Sequence, residues 1–269
     1  MTSPDRTPAT GGARVALLAN HRPGLEAARV ILAAGDTLAR LYVAGAESVA
    51  NRETIDRFGP LAGMVQVVDG KPAATADDAA DWDVDFIVTA YWPYLLPPRF
   101  LRRARRGTVN FHPALLPVNR GWFPHVHSLI DGSASGVTLH AIDDGVDTGP
   151  VWVQREVPAL PTDTAKSLYD RLQAAIIDMF ADHWADIRDG VLTPVPQDHA
   201  RAIHHRKSEV GALDRIDPDR AYTGRELVNL LRARSFGSRG FAYLEEADGR
   251  RVYLNLRLSD SPDFPGDGV

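Results

Sequence analysis

The sequence predicts an α/β fold: a mainly parallel, doubly wound sheet followed by a small C-terminal α+β appendage. Three observations carry this reading. Ala13–Asn20 and Val84–Ala90 are nearly continuous apolar runs, the pattern of strands covered on both faces. Helical stretches separate such runs through the first two thirds of the 269 residues. A long amphipathic stretch, then Pro194 and Pro196, closes that part of the chain.

Taken in order, Pro23 opens a helix through Ala34, with Leu25, Ala28, Ile31 and Leu32 at helical spacing and Gly35 as its stop. Leu38–Val43 reads as the second strand, Ser48–Phe58 as the second helix and Met64–Val68 as the third strand. The polar stretch Asp69–Asp83 is expected to hold a short helix. Residues 108–111 form a short β run, and Pro113 denies His112 the helical region. Pro124–Asp131 reads as a helix, Gly136–Ile142 as a half-exposed alternating strand and Val151–Val157 as another strand. Thr164–Asp189 is a long helix with Leu168, Leu172, Ile176, Met179 and Phe180 on its inner stripe, ended by Gly190. Beyond the prolines come a helix, Gly224–Arg234, and two short strands, Phe241–Leu244 and Val252–Leu258, turned by Asp248-Gly249. The expected divisions are a loose tail (1–12), a main domain (13–200), the appendage (201–260) and a second tail (261–269).

Composition excludes several classes. The formal charge of −5 gives no general attraction to nucleic acid or an anionic membrane. No cysteine is present, so disulfides, thiolate nucleophiles and cysteine-ligated metals are out. No apolar run approaches the roughly 20 residues that span a bilayer. The opening dozen residues lack the basic-then-apolar pattern of a signal peptide. The expectation is a soluble cytoplasmic protein with no nucleic-acid or membrane partner.

Chemistry concentrates at Asn110-Phe111-His112-Pro113 and, 35 residues after His112, at Asp147. In an extended chain, positions 110 and 112 face the same side. An amide can hold a carbonyl oxygen as charge develops on it, and an imidazole can move a proton. A carboxylate can orient that imidazole or take an ammonium proton itself. Together the three suit attack on a carbonyl by a nucleophile that the substrate supplies. Singly, each has a plain structural reading: a strand-end amide, a satisfied histidine, a turn aspartate.

Asn110-Phe-His-Pro-Ala-Leu-Leu-Pro117, Arg120-Gly121, Gly136-Val-Thr-Leu-His140 and Asp144-Gly-Val-Asp-Thr-Gly149 follow one another within about seventy residues. In this order they resemble the core of the 10-formyltetrahydrofolate-dependent formyltransferases. The resemblance implies a Rossmann-like formyltransferase core with Asn110, His112 and Asp147 as the catalytic trio. No Gly-x-Gly-x-x-Gly follows the first strand, so a dinucleotide is not expected. The cosubstrate it implies is N10-formyltetrahydrofolate, held between Trp92, Tyr94, Leu95 and Leu96 on one side and the loop bearing Asp143 and Gly145 on the other. No metal is expected. The segments from Ala202 to Glu209 and Tyr222 to Phe236 resemble the tails of sugar N-formyltransferases. That implies a nucleotide-linked amino deoxysugar as acceptor, a homodimer, and acceptor contacts from Arg120, Trp122 and His205. The segment Gly-Ser-Arg-Gly after Phe236 departs from the turn usual in those enzymes. Two alternatives therefore stand beside the sugar nucleotide: another small amine, such as a hydroxyornithine or an antibiotic precursor, and a folate-binding or formyl-folate-hydrolysing protein without an amine acceptor.

Overall fold

The computed structural model describes residues 12–44, 65–68 and 83–263. The expected helix over 48–58, most of the polar stretch 69–83 and most of both tails lie outside the described residues. The chain divides into two units. The first contains the described residues up to His112, with Thr138–Gln154 and Ala174–Gln197. The second contains Pro113–Val137, Arg155–Gln173 and the chain from Asp198 onward.

The leading elements are β1 (Arg14–Ala19), α1 (His21–Ala33), β2 (Thr37–Ala44), β3 (Val65–Val68), β4 (Val84–Ala90), α2 (Pro98–Leu101) and β5 (Ala104–His112). There follow β6 (Arg120–Gly121), α3 (Pro124–Asp131), β7 (Gly136–His140), β8 (Val151–Glu156) and α4 (Ala165–Arg188). The chain continues through β9 (His204–His205), α5 (Lys207–Ala212), α6 (Gly224–Ala233), β10 (Ser235–Phe236), β11 (Arg239–Gly240), β12 (Tyr243–Glu245) and β13 (Arg251–Tyr253). Seven strands form one sheet in the order β3-β2-β1-β4-β5-β7-β8. The pairings from β3 through β5 are parallel, and β7 runs antiparallel to β5. The expected mainly parallel α/β core is therefore present.

Several boundaries differ from expectation for physical reasons. Helix α1 starts two residues before Pro23, from an extended Asn20, and Leu32 is 39% exposed instead of joining Leu25, Ala28 and Ile31 inside. β5 begins at Ala104, because its two arginines find local partners. Arg105 pairs with Asp85 at 3.0 Å, and the Arg106 guanidinium lies 5.2 Å from the Phe86 ring centre. β7 is buried along its whole length, since it has a strand on each side. In the appendage the hairpin is shorter than expected, but it turns at Asp248-Gly249, where Gly249 takes φ 82°. No described helix is long and apolar enough to cross a membrane.

All five expected stripe residues of α4 are fully buried. Lower on the same helix, Trp184 donates to the Asp36 carboxylate at 2.7 Å, and Ala13 N–H donates to the other oxygen at 2.7 Å. Arg188 lies 3.5 Å from that carboxylate. Asp36 is 5% exposed, so this one anion joins β1, the turn after α1 and α4. Asp36→Ala leaves the Ala13 N–H and the Trp184 indole short of an acceptor, and it should cost about 2–4 kcal/mol in urea unfolding. A loss under about 1 kcal/mol would show that the carboxylate is dispensable.

Candidate active site

Asn110 sits two residues before the end of β5, directly opposite Thr89 on β4 and His140 on β7. The Thr89 hydroxyl donates to Asn110 Oδ1 at 2.6 Å. His140 Nδ1 lies 2.7 Å from the Ala141 carbonyl oxygen, which can only accept. That assigns the ring proton to Nδ1 and leaves Nε2 as an acceptor, 2.9 Å from Asn110 Nδ2. The second amide hydrogen of Asn110 is directed at Asp147 Oδ1, a long contact of 3.5 Å.

Asp147 draws the cluster together. Its other oxygen is 3.5 Å from His112 Nδ1, and His140 Nε2 is 3.6 Å from Oδ1. His112 is 4% exposed, so the imidazole and carboxylate meet with little water between them. The backbone of Asp147 is left-handed, φ 54°, which a non-glycine residue adopts only when its surroundings hold it there. Gln197 provides that hold, donating through Nε2 to the Asp147 and Gly149 carbonyls at 2.9 and 2.7 Å. Gly149 allows the close return of the loop, because a Cβ there would lie 1.9 Å from the Ala141 oxygen.

The residues expected to hold a folate divide by role. Trp92 is half-buried, lies edge-on to Tyr94 at 5.7 Å, and packs with Ile142 against the cluster that contains Leu96 and Phe100. The loops after β4 and β7 thus share one apolar floor. The Trp92 indole nitrogen is buried without a partner among the described residues, a polar atom that a ligand could satisfy. Leu96 belongs to the core, whereas Leu95 is 69% exposed. Asp143 closes its own loop by accepting from Gly145 N–H at 3.1 Å and from the Thr148 hydroxyl.

Arg120, Trp122 and His205 come together in the second unit through the short parallel pair β6–β9. Gly121 permits that approach at φ 90°, since a Cβ would lie 2.3 Å from the His205 oxygen. Arg120 is 2% exposed, and its guanidinium reaches His204 and His199 at 3.4 and 3.2 Å. It therefore braces this pair, and Trp122 is the more open of the three, lying under the Lys207 ammonium at 4.9 Å. His205 faces Asn119 Oδ1 at 3.0 Å and the Glu209 carboxylate at 3.1 Å.

His127, His205 and Glu209 bring ligand-type atoms within 4.8 Å of one another. The two rings, however, are stacked at 3.4 Å with planes 5° apart. An ion bonded to both would lie about half that separation out of each ring plane, away from the in-plane lone pairs, so the trio does not make a metal site.

Burial lowers the His125 pKa to about 3, helped by His127 and Arg234, and lowers that of His127 to about 4, helped by His205. Both folded values lie below the unfolded value near 6.5, so below that pH the unfolded chain binds more protons and stability falls. The melting temperature should hold above about pH 7 and drop steadily from about pH 6 downward. His125→Phe, whose ring neighbours are Phe123 and Tyr169, should flatten that drop. An unchanged slope in the variant would remove His125 from this account.

Residues 45–181 match the formyl transferase family, a span of just over half the chain that contains the whole Asn110–His112–Asp147 cluster. The chain belongs to the formyl transferase family. It is an N-formyltransferase, and residues 209–260 match the N-formyltransferase dimerization C-terminal domain. This formyltransferase is 36% identical over 159 residues to the dTDP-4-amino-4,6-dideoxyglucose formyltransferase of Mycobacterium tuberculosis, covering 59% of this chain and 67% of that one. Its fold is shared with a sugar N-formyltransferase from Shewanella, at TM-score 0.79 and 24% identity over 92% of this chain and 98% of that one. A formyltransferase from Anoxybacillus kamchatkensis, solved with UDP-4,6-dideoxy-4-formamido-L-AltNAc and tetrahydrofolate, gives TM-score 0.50 and 30% identity over 64% and 87% of the two chains.

Sequence reasoning about the formyltransferase missed Thr89, His140, Gln197 and Asn119 as members of these polar networks. Thr89 had one signal, a lone hydroxyl near the end of the apolar run that follows Asp85. Gln197 and Asn119 had none, because their partners are remote in sequence.

Proposed function

We propose that this N-formyltransferase moves the formyl group of N10-formyltetrahydrofolate to the amine of a nucleotide-linked amino deoxysugar. The observation that carries the proposal is the meeting of the Asn110 amide, the His112 imidazole and the Asp147 carboxylate in one cluster. The acceptor class is supported by the mycobacterial relative, whose name specifies dTDP-4-amino-4,6-dideoxyglucose. The donor is supported by the tetrahydrofolate complex of the Anoxybacillus enzyme and by the apolar floor under Trp92, whose indole nitrogen has no partner among the described residues.

In this mechanism the neutral acceptor amine attacks the formyl carbon. The new C–N bond forms as the carbonyl π pair moves to oxygen. Asn110 Nδ2 turns its second hydrogen from the long Asp147 contact to that oxyanion. The amine then gives up a proton to the His112–Asp147 pair, whose negative charge stabilises an imidazolium beside it. Collapse of the intermediate breaks the bond to N10, and a proton from the same pair passes to that nitrogen. Which of the two groups receives the amine proton first is a property of the coupled pair. Trp122 and His205 are assigned to the acceptor side, and a homodimer formed through the C-terminal domain is part of the same proposal.

The test is tetrahydrofolate release with dTDP-4-amino-4,6-dideoxyglucose, read together with the formamido product by mass. The enzyme should turn over only when the amino sugar nucleotide is present. Release that runs equally fast without any amine would point to hydrolysis, and no turnover across a panel of amino sugar nucleotides would reject the acceptor class. Asn110→Ala should lower kcat by about 10²–10³, the usual loss for one oxyanion donor. Wild-type rates in Asn110→Ala would end the assignment of this side chain.

A further inference from the structure

An asparagine amide has two ends of equal size and opposite hydrogen-bonding character. If its oxygen faced the formyl group, a lone pair would oppose the developing oxyanion instead of a donor stabilising it. The proposed chemistry therefore depends on something that fixes the rotation of the Asn110 side chain. Asn110 is the middle member of a row across three adjacent strands, with Thr89 directly opposite on β4 and His140 directly opposite on β7. His140, held as the Nδ1–H form by the Ala141 carbonyl, accepts from the amide nitrogen. The Thr89 hydroxyl, 2.6 Å from Asn110 Oδ1, then donates to the amide oxygen. Thr89 is 3% exposed, so no bulk water stands ready to replace it. With both ends gripped, the amide keeps one hydrogen for Asp147 in the resting enzyme and for the oxyanion during reaction.

We propose that Thr89 is a positioning residue of this formyltransferase: its hydroxyl clamps the Asn110 carbonyl so that the amide nitrogen faces the reacting formyl oxygen. This rests on the role proposed for Asn110 and assigns a second strand to the reaction. Thr89 is assigned to act through Asn110 and not on a substrate. Its effect belongs in the chemical step, because the clamp matters when charge appears on the formyl oxygen and not when the substrates bind.

Thr89→Val keeps the branched shape and deletes the donor, so it is the informative substitution. Single-turnover formyl transfer should slow by about 10-fold or more, with KM for both substrates within about two-fold of wild type. Thr89→Ser restores a hydroxyl and should recover most of the rate. In an Asn110→Ala background, Thr89→Val should have no further effect on the rate, because the residue it acts through is gone. A merely structural threonine would instead lower the melting temperature of Thr89→Val while leaving the rate per folded site intact. Thr89→Val at the wild-type rate, Thr89→Ser as slow as Thr89→Val, or equal slowing in the Asn110→Ala background would each overturn the inference. If Asn110→Ala alone is silent, the parent reading fails first, so the two failures are distinguishable.

Discussion

The Asp147 carboxylate lies 3.5–3.6 Å from an amide and two imidazoles that arrive on β5 and β7, and it places a negative charge where few waters can screen it. A charge in that setting can orient the Asn110 amide and the His112 imidazole, provided the loop carrying it is fixed. Much of the surrounding structure serves that condition. The left-handed backbone at Asp147, the double grip of Gln197 on the adjoining carbonyls and the glycine at 149 keep the carboxylate in place. Asp143 spends its own carboxylate on closing the same loop. The parallel sheet supplies the other half, because β4 and β5 end on the same side and deliver Thr89 and Asn110 in register.

The second unit is built around short pairings and buried polar side chains. Arg120 is held among His199 and His204, His205 among Asn119, Glu209 and the His127 ring. Burial holds His125 and His127 neutral on α3, so this unit exchanges tolerance of acid for tight packing. Its C-terminal hairpin leaves Val252 and Tyr253 47% and 59% exposed, within the span that matches a dimerization domain.

The main sheet was legible because its apolar runs and intervening helices follow the period of buried parallel strands, and Val84–Ala90 and Pro124–Asp131 fall at the expected bounds. Alternation along an extended strand put Asn110 and His112 on one face, but that Asp147 joins them came from the resemblance of the ordered motifs to the formyltransferases and not from local spacing. Cross-strand register is another matter. Nothing in a linear sequence says that Thr89 stands opposite Asn110, or that His140 completes the row. Side-chain direction in the irregular loop after β4 was equally hidden, so that of the neighbours Leu95 and Leu96 one faces out and the other lies in the core. Arg120 was expected at the acceptor, and its buried bracing by His199 and His204 was hidden because those imidazoles are about eighty residues further along the chain.

The most direct test is a crystal structure of the protein with an analogue of N10-formyltetrahydrofolate in which carbon replaces N10, which presents the one-carbon unit at the transferring position through a bond that is not broken. The account predicts the pterin against Trp92 and the formyl oxygen about 2.7–3.1 Å from Asn110 Nδ2, with Asp147 still beside His112. A formyl group lodged away from Asn110, with its amide unmoved from Asp147, would contradict it.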